Sequence, residues 1–282
     1  MGCKRHSIEG NLLRCLVADL ASDNSPTSLR LDSAGVPSPA LVVVELDDAD
    51  WSLASVVAAR LAQPTPVIVG VSSRALPDKA APLLESLTCT LAPSGPGRAW
   101  IRAEDGDLEA IAATVAAAPL AAITLSGVLS LAARSTVADG LLAESLAYSM
   151  LLAGPEFARW SASRPSRSAP DVADPVLLTR EGDVLSVVLN RPERHNAFGR
   201  LVRDGLLEAL SIAELDSTVR EVVVTGNGRS FSSGGDLDEF GTAPDVSTAH
   251  LIRLNQSAAH AVHVLRDRVR VVVHGACIGA GA

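Results

Sequence analysis

The sequence predicts an α/β protein, and three observations lead to that prediction. Short runs rich in Val, Leu and Ile alternate with stretches of helical spacing, and clusters of Gly, Pro or Ser separate them. Hydrophobic residues make up 48% of the 282 residues but aromatic residues only 3%, so Ala, Val and Leu must build the core. Strands that alternate with helices favour βαβ units and a mainly parallel sheet.

A segment rich in Pro, Ser and charge, Ser161–Pro175, predicts a linker. It would divide the chain into an N-terminal region, residues 1–160, and a second region, residues 176–282.

The N-terminal region is predicted to be rich in βα units. Its predicted strands are Leu41–Leu46 and Pro66–Val71, and its predicted helices are Ser52–Leu61, Leu108–Ala117 and Ala138–Leu152. Gly154-Pro155 is the expected stop signal of the last helix.

The second region opens on a predicted hairpin, in which Glu181-Gly182 joins two strands and Gly182 supplies a positive φ. The predicted elements are the strands Val176–Arg180, Asp183–Asn190, Glu221–Thr225 and Val269–Val273 and the helices Leu201–Leu215 and Leu251–Leu265. The order strand, helix, strand occurs in both regions and resembles a weak internal repeat.

Composition excludes several classes of protein. A net charge of −8 argues against a nucleic-acid-binding surface. The four cysteines have neither metal-site nor C-x-x-C spacing, so we expect reduced thiols and a cytoplasmic protein. No apolar run reaches the length of a membrane span, and the N-terminus lacks the pattern of a signal peptide.

Two glycine-rich turns carry the functional prediction. Phe231–Phe240 (FSSGGDLDEF) follows the strand Glu221–Thr225, and His274–Ala282 (HGACIGAGA) follows the strand Val269–Val273. Turns at the ends of two strands can aim backbone N–H groups at one point, as a developing oxyanion requires.

Three motifs in order resemble the enoyl-CoA hydratase/isomerase family, the crotonase superfamily. They are VLSVVLNRPERHNAF (Val184–Phe198), VVVTGNGRSFSSGGDLDEF (Val222–Phe240) and VRVVVHGACIGAGA (Val269–Ala282). The resemblance implies a crotonase-like ββα spiral over residues 176–282, incomplete at its C-terminal side. The N-terminal region is interpreted as packing or regulatory, or as a degenerate crotonase-like half.

The resemblance also implies the site residues. The oxyanion donors would be the N–H groups of Gly235 and Ala280, where the family often has Gly in place of Ala280. Coenzyme A, as part of the substrate, would lie along two loops, on Arg194, His195, Ala197, Ser233, Asp236 and Leu237. No other cofactor and no metal is implied, and relatives of full length are homotrimers or hexamers.

Several residues have simpler interpretations. Asp236 is predicted to cap a helix, with Asp238 and Glu239 in its first turn. Arg191 and Arg194 are either nucleotide-facing cations or solvated loop residues. We interpret His260 and His263 as a solvated helix face rather than a metal site, and Tyr148, Trp51 and Trp160 as packing groups.

The leading functional hypothesis is hydration of a 2-trans-enoyl-CoA, with double-bond isomerisation, thioester hydrolysis and dioxygenation possible on the same frame. Hydration needs acid–base carboxylates, which in the resembling family follow the second turn. The chain is therefore expected to be truncated after Ala282, and a catalytically inactive CoA-binding or scaffold protein is the alternative. A Rossmann-type nucleotide binder is disfavoured, because neither loop reads G-x-G-x-x-G.

Overall fold

The computed structural model describes residues 12–23, 25–61, 65–165 and 173–282. Its contacts divide the chain into two compact units, Met1–Ser135 and Thr136–Ala282. Residues 166–172 of the predicted linker lie outside the described residues. The predicted domain limits at residues 160 and 176 therefore stay predictions.

The first unit is a four-stranded parallel sheet with helices on both faces. Its strands pair in chain order and are β1 (Leu12–Leu16), β2 (Leu41–Glu45), β3 (Val67–Val71) and β4 (Cys89–Leu91). Its helices are α1 (Val17–Ala21), α2 (Ala54–Arg60), α3 (Ala81–Leu84), α4 (Asp107–Ala117) and α5 (Pro119–Ala132). The α/β prediction is confirmed for this unit, although β1, β4, α1, α3 and α5 were not predicted.

Strand β2 shows why this sheet is covered on both sides. Val42 and Val44 face one core cluster, which α1, α2 and α3 complete. Leu41 and Val43 face the opposite cluster, into which α4 and α5 pack. A strand that is buried on both faces reads as a continuous apolar run, as LVVV does at residues 41–44.

The second unit carries a mixed sheet of four strands. The strands are β5 (Val176–Glu181), β6 (Val184–Leu189), β7 (Glu221–Gly226) and β8 (Val269–Val271), of which β5 and β6 form the predicted antiparallel hairpin and β6, β7 and β8 are parallel. Gly182 in the hairpin turn has the predicted positive φ, 61°.

The described part of this second unit also contains five helices. They are α6 (Val137–Leu152), α7 (Pro155–Ala162), α8 (Arg200–Leu215), α9 (Val246–Asn255) and α10 (Ala258–Val264). The predicted apolar face of α8 is confirmed, because all five residues assigned to it are buried: Val202, Leu206, Ala209, Leu210 and Ala213.

Two local predictions in this unit are wrong. The helix predicted over 251–265 is two helices, because Ser257 caps a new start at α10 by accepting a hydrogen bond from the N–H of His260. No helix follows Asp236 directly. Asp238 and Glu239 lie in a tight turn instead, and the cap of the next helix, α9, is Asp245.

The search for membrane-spanning helices covered the described ranges. No single helix there is both long and apolar enough to cross a membrane. Two bent pairs pass on length and composition only when taken together, α4 with α5 at 109° and α6 with α7 at 62°.

Candidate oxyanion site

The two glycine-rich turns are joined to each other beyond the ends of β7 and β8. Ser232 and Cys277 form a parallel bridge. The N–H of Ser232 donates to the carbonyl of Ala276 at 3.1 Å, and the N–H of Ile278 donates to the carbonyl of Ser232 at 3.1 Å. The turns therefore continue the ladder of the sheet and approach each other backbone to backbone.

Glycine is required at this approach. Gly234 has a φ of 90°, and a Cβ there would lie 2.7 Å from the carbonyl oxygen of Ile278 and 3.8 Å from the nitrogen of Ala280. A Cβ on Gly275, whose φ is 59°, would lie 2.1 Å from the carbonyl oxygen of Arg229. Because both neighbours are backbone atoms, any side chain would push the turns apart.

Three backbone N–H groups next to the two predicted donors are hydrogen-bonded within the described part of the fold, whereas the donors themselves are not. The N–H of Gly234 donates to Ser232 Oγ at 3.2 Å, that of Asp236 to the carbonyl of Phe198 at 3.0 Å, and that of Gly281 to the carbonyl of Ile278 at 2.9 Å. Among the described residues, no acceptor is paired with the N–H of Gly235 or of Ala280.

Both donors line one cleft of about 1680 Å³ within the second unit. The turns thus place two uncommitted backbone donors beside one ligand-sized space. Such donors stabilise negative charge on an oxygen without reorganisation of the site.

The carboxylate of Asp236, next to the first donor, forms ion pairs with two arginines of the same unit. Asp236 Oδ2 lies 3.2 Å from Arg191 Nη1, and Asp236 Oδ1 lies 2.8 Å from Arg194 Nη2. Arg194 also reaches Asp238 at 2.6 Å, and this hydrogen bond raises the pKa of its guanidinium. An unpaired carboxylate at this position would oppose an oxyanion, and the two arginines offset its charge.

The environment of Asp236 corrects two expectations. It is not a helix cap, because its carboxylate is buried against Arg191 and Arg194. Arg191 is not solvated either, since its side chain is only 1% exposed. The carboxylate of Glu239 lies at the start of a different helix from the one expected: its Oε2 accepts from the N–H of Arg200 at 2.6 Å, at the beginning of α8.

The residues predicted to contact coenzyme A come from two loops that the structure brings together. The N–H of Ser233 donates to the carbonyl of His195 at 2.9 Å, and the N–H of Ala197 donates to the carbonyl of Arg194 at 3.0 Å. His195, Ser233 and Leu237 are exposed, whereas Ala197 and Asp236 are buried. Of the predicted set, Asp236 alone lines the cleft, so the other five lie outside its lining. Their contact with a ligand stays a prediction.

Asn196 holds these loops and was missed as a site residue. Its Oδ1 accepts from the N–H of Arg191 at 2.8 Å, and its Nδ2 donates to the carbonyls of Asn227 and Ser230 at 2.9 and 3.0 Å. Its φ is 52°, a conformation that Asn adopts more readily than most residues. The signal was present in the motif RPERHNAF, where Asn196 directly precedes the apolar pair Ala197-Phe198.

Other reactive groups were sought in the described ranges. These ranges hold no group of three or more His, Cys, Asp or Glu side chains placed to bind a metal ion. Burial raises the pKa of Cys15 to about 12 and also raises that of Cys89, so neither thiol is activated. The expectations of no metal and no cofactor stay predictions.

A family model described as "Enoyl-CoA hydratase/isomerase" matches residues 179–282. Residues 179–282 belong to the enoyl-CoA hydratase/isomerase family. This hydratase/isomerase domain begins within β5 and includes both glycine-rich turns. The crotonase-like fold expected for this part of the chain is thereby confirmed.

Two curated relatives show the extent of the similarity. The chain is 36% identical over 107 residues to the 1,2-epoxyphenylacetyl-CoA isomerase of Escherichia coli (strain K12), which covers 36% of this chain and 40% of the relative. It is 33% identical over 111 residues to the trans-2-decenoyl-[acyl-carrier-protein] isomerase of Streptococcus mutans, which covers 38% and 42%. The chain thus spans about two fifths of the length of these relatives.

Solved structures match over a similar extent of chain. An enoyl-CoA hydratase/carnithine racemase from Magnetospirillum magneticum is 30% identical, with a TM-score of 0.35 and coverage of 39% of this chain and 42% of that one. A monofunctional enoyl CoA isomerase from M. smegmatis is 37% identical, with a TM-score of 0.28 and coverage of 38% and 44%.

Proposed function

We propose that the hydratase/isomerase domain binds the thioester of an acyl-CoA and stabilises negative charge on its carbonyl oxygen. One observation supports this proposal above the others: two backbone N–H groups, of Gly235 and Ala280, lack acceptors among the described residues and line one cleft. Each such donor contributes on the order of 3 kcal/mol to a developing oxyanion in a water-poor site.

The reaction proposed is hydration of a 2-trans-enoyl-CoA. The oxygen of water bonds to C3, the C2=C3 double bond becomes single, and its electron pair passes through C2 to the thioester oxygen as an enolate. The proton lost by water and the proton gained at C2 pass through a general acid–base group. The proposal assigns charge stabilisation to Gly235 and Ala280 and assigns no residue to the proton transfer.

Isomerisation of the double bond is the second candidate. It uses the same enolate and the same two donors, but a proton is removed at one carbon and returned at another, and no water is added. Of the two curated relatives described above, the one from Streptococcus mutans is named as an isomerase of a trans-2-decenoyl group on acyl-carrier protein, and the one from Escherichia coli as an isomerase of an epoxide on a CoA derivative.

Binding to matched ligands tests the charge-stabilising role. Calorimetry with butyryl-CoA, with its thioether analogue S-butyl-CoA and with free CoA separates carbonyl recognition from binding of the nucleotide. We expect the thioester to bind more tightly than the thioether by about fivefold or more, since each hydrogen bond to the carbonyl contributes about 1 kcal/mol net. Equal affinity for thioester and thioether would contradict the proposal.

Turnover distinguishes the two reactions. Incubation with crotonyl-CoA in ¹⁸O-labelled water, followed by mass spectrometry, reports label in the product if water adds. A 3-enoyl-CoA that is converted to the 2-enoyl isomer without label at C3 would favour isomerisation instead.

A further inference from the structure

The helical hairpin α6–α7 precedes the hydratase/isomerase domain, yet it lines the same cleft as the two donors. Six of its residues contribute to the wall: Leu141, Glu144, Ser145, Tyr148, Leu152 and Phe157. Gly235 and Ala280 line the same cleft. All of these residues belong to one compact unit.

Hydrogen bonds fix α6 against α9. Ser149 Oγ donates to the carbonyl of Val246 at 2.8 Å, and Ser145 Oγ lies 2.9 Å from His250 Nδ1. Arg253 Nε donates to Ser145 Oγ at 3.1 Å, and its Nη2 donates to the carbonyl of Ser145 at 3.0 Å. Two buried serines of α6 are thus satisfied by α9, which holds the hairpin in one position.

Tyr148 stands one aromatic ring away from the first donor. Its ring meets that of Phe240 edge to face, with 5.9 Å between centroids and 68° between planes. The Phe240 ring in turn lies 2.9 Å from where a Cβ on Gly235 would be. The guanidinium of Arg253 lies 4.6 Å from the centre of the Tyr148 ring and keeps it in place.

The rings of Tyr148, Phe157 and Phe240 form an aromatic wall of the cleft that the two donors also line. A thioester held at Gly235 and Ala280 has one substituent toward the nucleotide and one acyl substituent. Of the six residues predicted for coenzyme A, Asp236 alone lines the cleft, whereas the aromatic rings of Tyr148, Phe157 and Phe240 all line it. The acyl substituent is the apolar one, and burial against aromatic rings favours it.

We propose that α6–α7 forms the outer wall of the acyl pocket and that Tyr148 limits the length of the acyl chain that the domain binds. This inference rests on the proposed function. It extends the binding site beyond the family match, because Tyr148 precedes residue 179.

The test compares octanoyl-CoA with butyryl-CoA by calorimetry on the 282-residue chain. In Tyr148→Ala, the preference for octanoyl-CoA should rise about tenfold over that of the unsubstituted chain, because about two more methylenes become buried. Tyr148→Phe keeps the ring and should leave the ratio unchanged. Leu146→Ala is the matched control on α6, since Leu146 is 52% exposed and does not line the cleft.

The outcomes separate the two proposals. An unsubstituted chain that binds no acyl-CoA overturns both, whereas one that binds with a ratio unaffected by Tyr148→Ala overturns this inference alone.

Trp160 provides a measurement that needs no substitution at Tyr148, because it packs on Phe240 with 6.2 Å between ring centroids. In a chain carrying Trp51→Phe and Trp100→Phe, Trp160 is the one remaining tryptophan. The fluorescence emission of Trp160 should then change on addition of octanoyl-CoA and not of free CoA. An equal change with both ligands would contradict the inference.

Discussion

Arg191 and Asp236 form a buried ion pair that joins the two loops of the candidate site. Their side chains are 1% and 0% exposed, and 3.2 Å separates Arg191 Nη1 from Asp236 Oδ2. Arg191 Nε has no hydrogen-bond partner among the described residues. Among those residues, the carboxylate of Asp236 is also the only acidic group within ion-pair distance of the guanidinium.

Asp236→Ala is therefore expected to destabilise the second unit severely. Removal of one partner of a buried pair leaves the other charge uncompensated, at a cost of about 3–5 kcal/mol. Urea denaturation followed by circular dichroism measures the change. Asp204→Ala breaks a pair whose carboxylate is 46% exposed and should cost less than about 1 kcal/mol. Similar losses in the two variants would argue against this account of Asp236.

Gly234→Ala and Gly279→Ala form a matched pair in the two turns. Both glycines have positive φ, 90° and 53°. Each substitution therefore lowers the free energy of unfolding by about 1 kcal/mol or more, because alanine disfavours the left-handed conformation. Only at Gly234 would the new Cβ also meet backbone, 2.7 Å from the carbonyl oxygen of Ile278, whereas Gly279 has open space. Thermal melts should show the larger loss for Gly234→Ala. An equal or smaller loss there would mean that the turns separate at little cost.

Ala280→Pro tests the second donor directly. Proline removes the N–H group, which makes no hydrogen bond within the described part of the chain, and the start of a short helical turn accepts proline. We expect the preference for butyryl-CoA over S-butyl-CoA to fall about fivefold, while free CoA binds as before. Ala280→Ser keeps the N–H and should preserve the preference. If turnover is observed, Ala280→Pro should lower kcat by about a hundredfold or more.

Asp216 gives a prediction for pH dependence. Hydrogen bonds from Thr218 Oγ1, Arg180 Nη1 and the N–H of Thr218 lower its pKa from 3.8 to about 2. Because the folded state binds this proton less tightly than the unfolded state, the stabilisation is fully present above pH 3.8. It is lost as the pH falls through about 2.

The Tm difference between the unsubstituted chain and Asp216→Asn should therefore be constant near neutral pH. It should shrink as the pH falls from 3.8 toward 2. A difference that stays the same down to pH 2 would exclude this role for the carboxylate.

The sequence predicted the elements whose signals are local. β2, β3 and β7 are apolar runs followed by turn residues, and α8 shows its buried face at helical spacing. β1 lacked such a signal, because Arg14 interrupts its apolar run. The partner that accounts for Arg14 is Glu45, 2.6 Å away on β2 and 31 residues along the chain.

The candidate site likewise has features that were visible in the sequence and features that were not. The two turns were visible as glycine patterns, and their positions next to strand ends followed from the apolar runs before them. The burial of Arg191 was not visible, because Asp236 is 45 residues away in sequence. The contribution of α6 to the cleft also depends on contacts more than 100 residues apart, such as that between Ser145 and His250. Only the folded chain reveals these long-range contacts.

The bridge between Ser232 and Cys277 has a consequence for how the site tolerates sequence change. Neighbouring strands lie about 4.8 Å apart because the length of backbone hydrogen bonds sets that spacing. The turns extend this ladder past β7 and β8, so the separation of the two donors is a property of the sheet rather than of the turn side chains. A side chain that leaves the backbone path intact, such as that of Ala280, therefore keeps the donors in register.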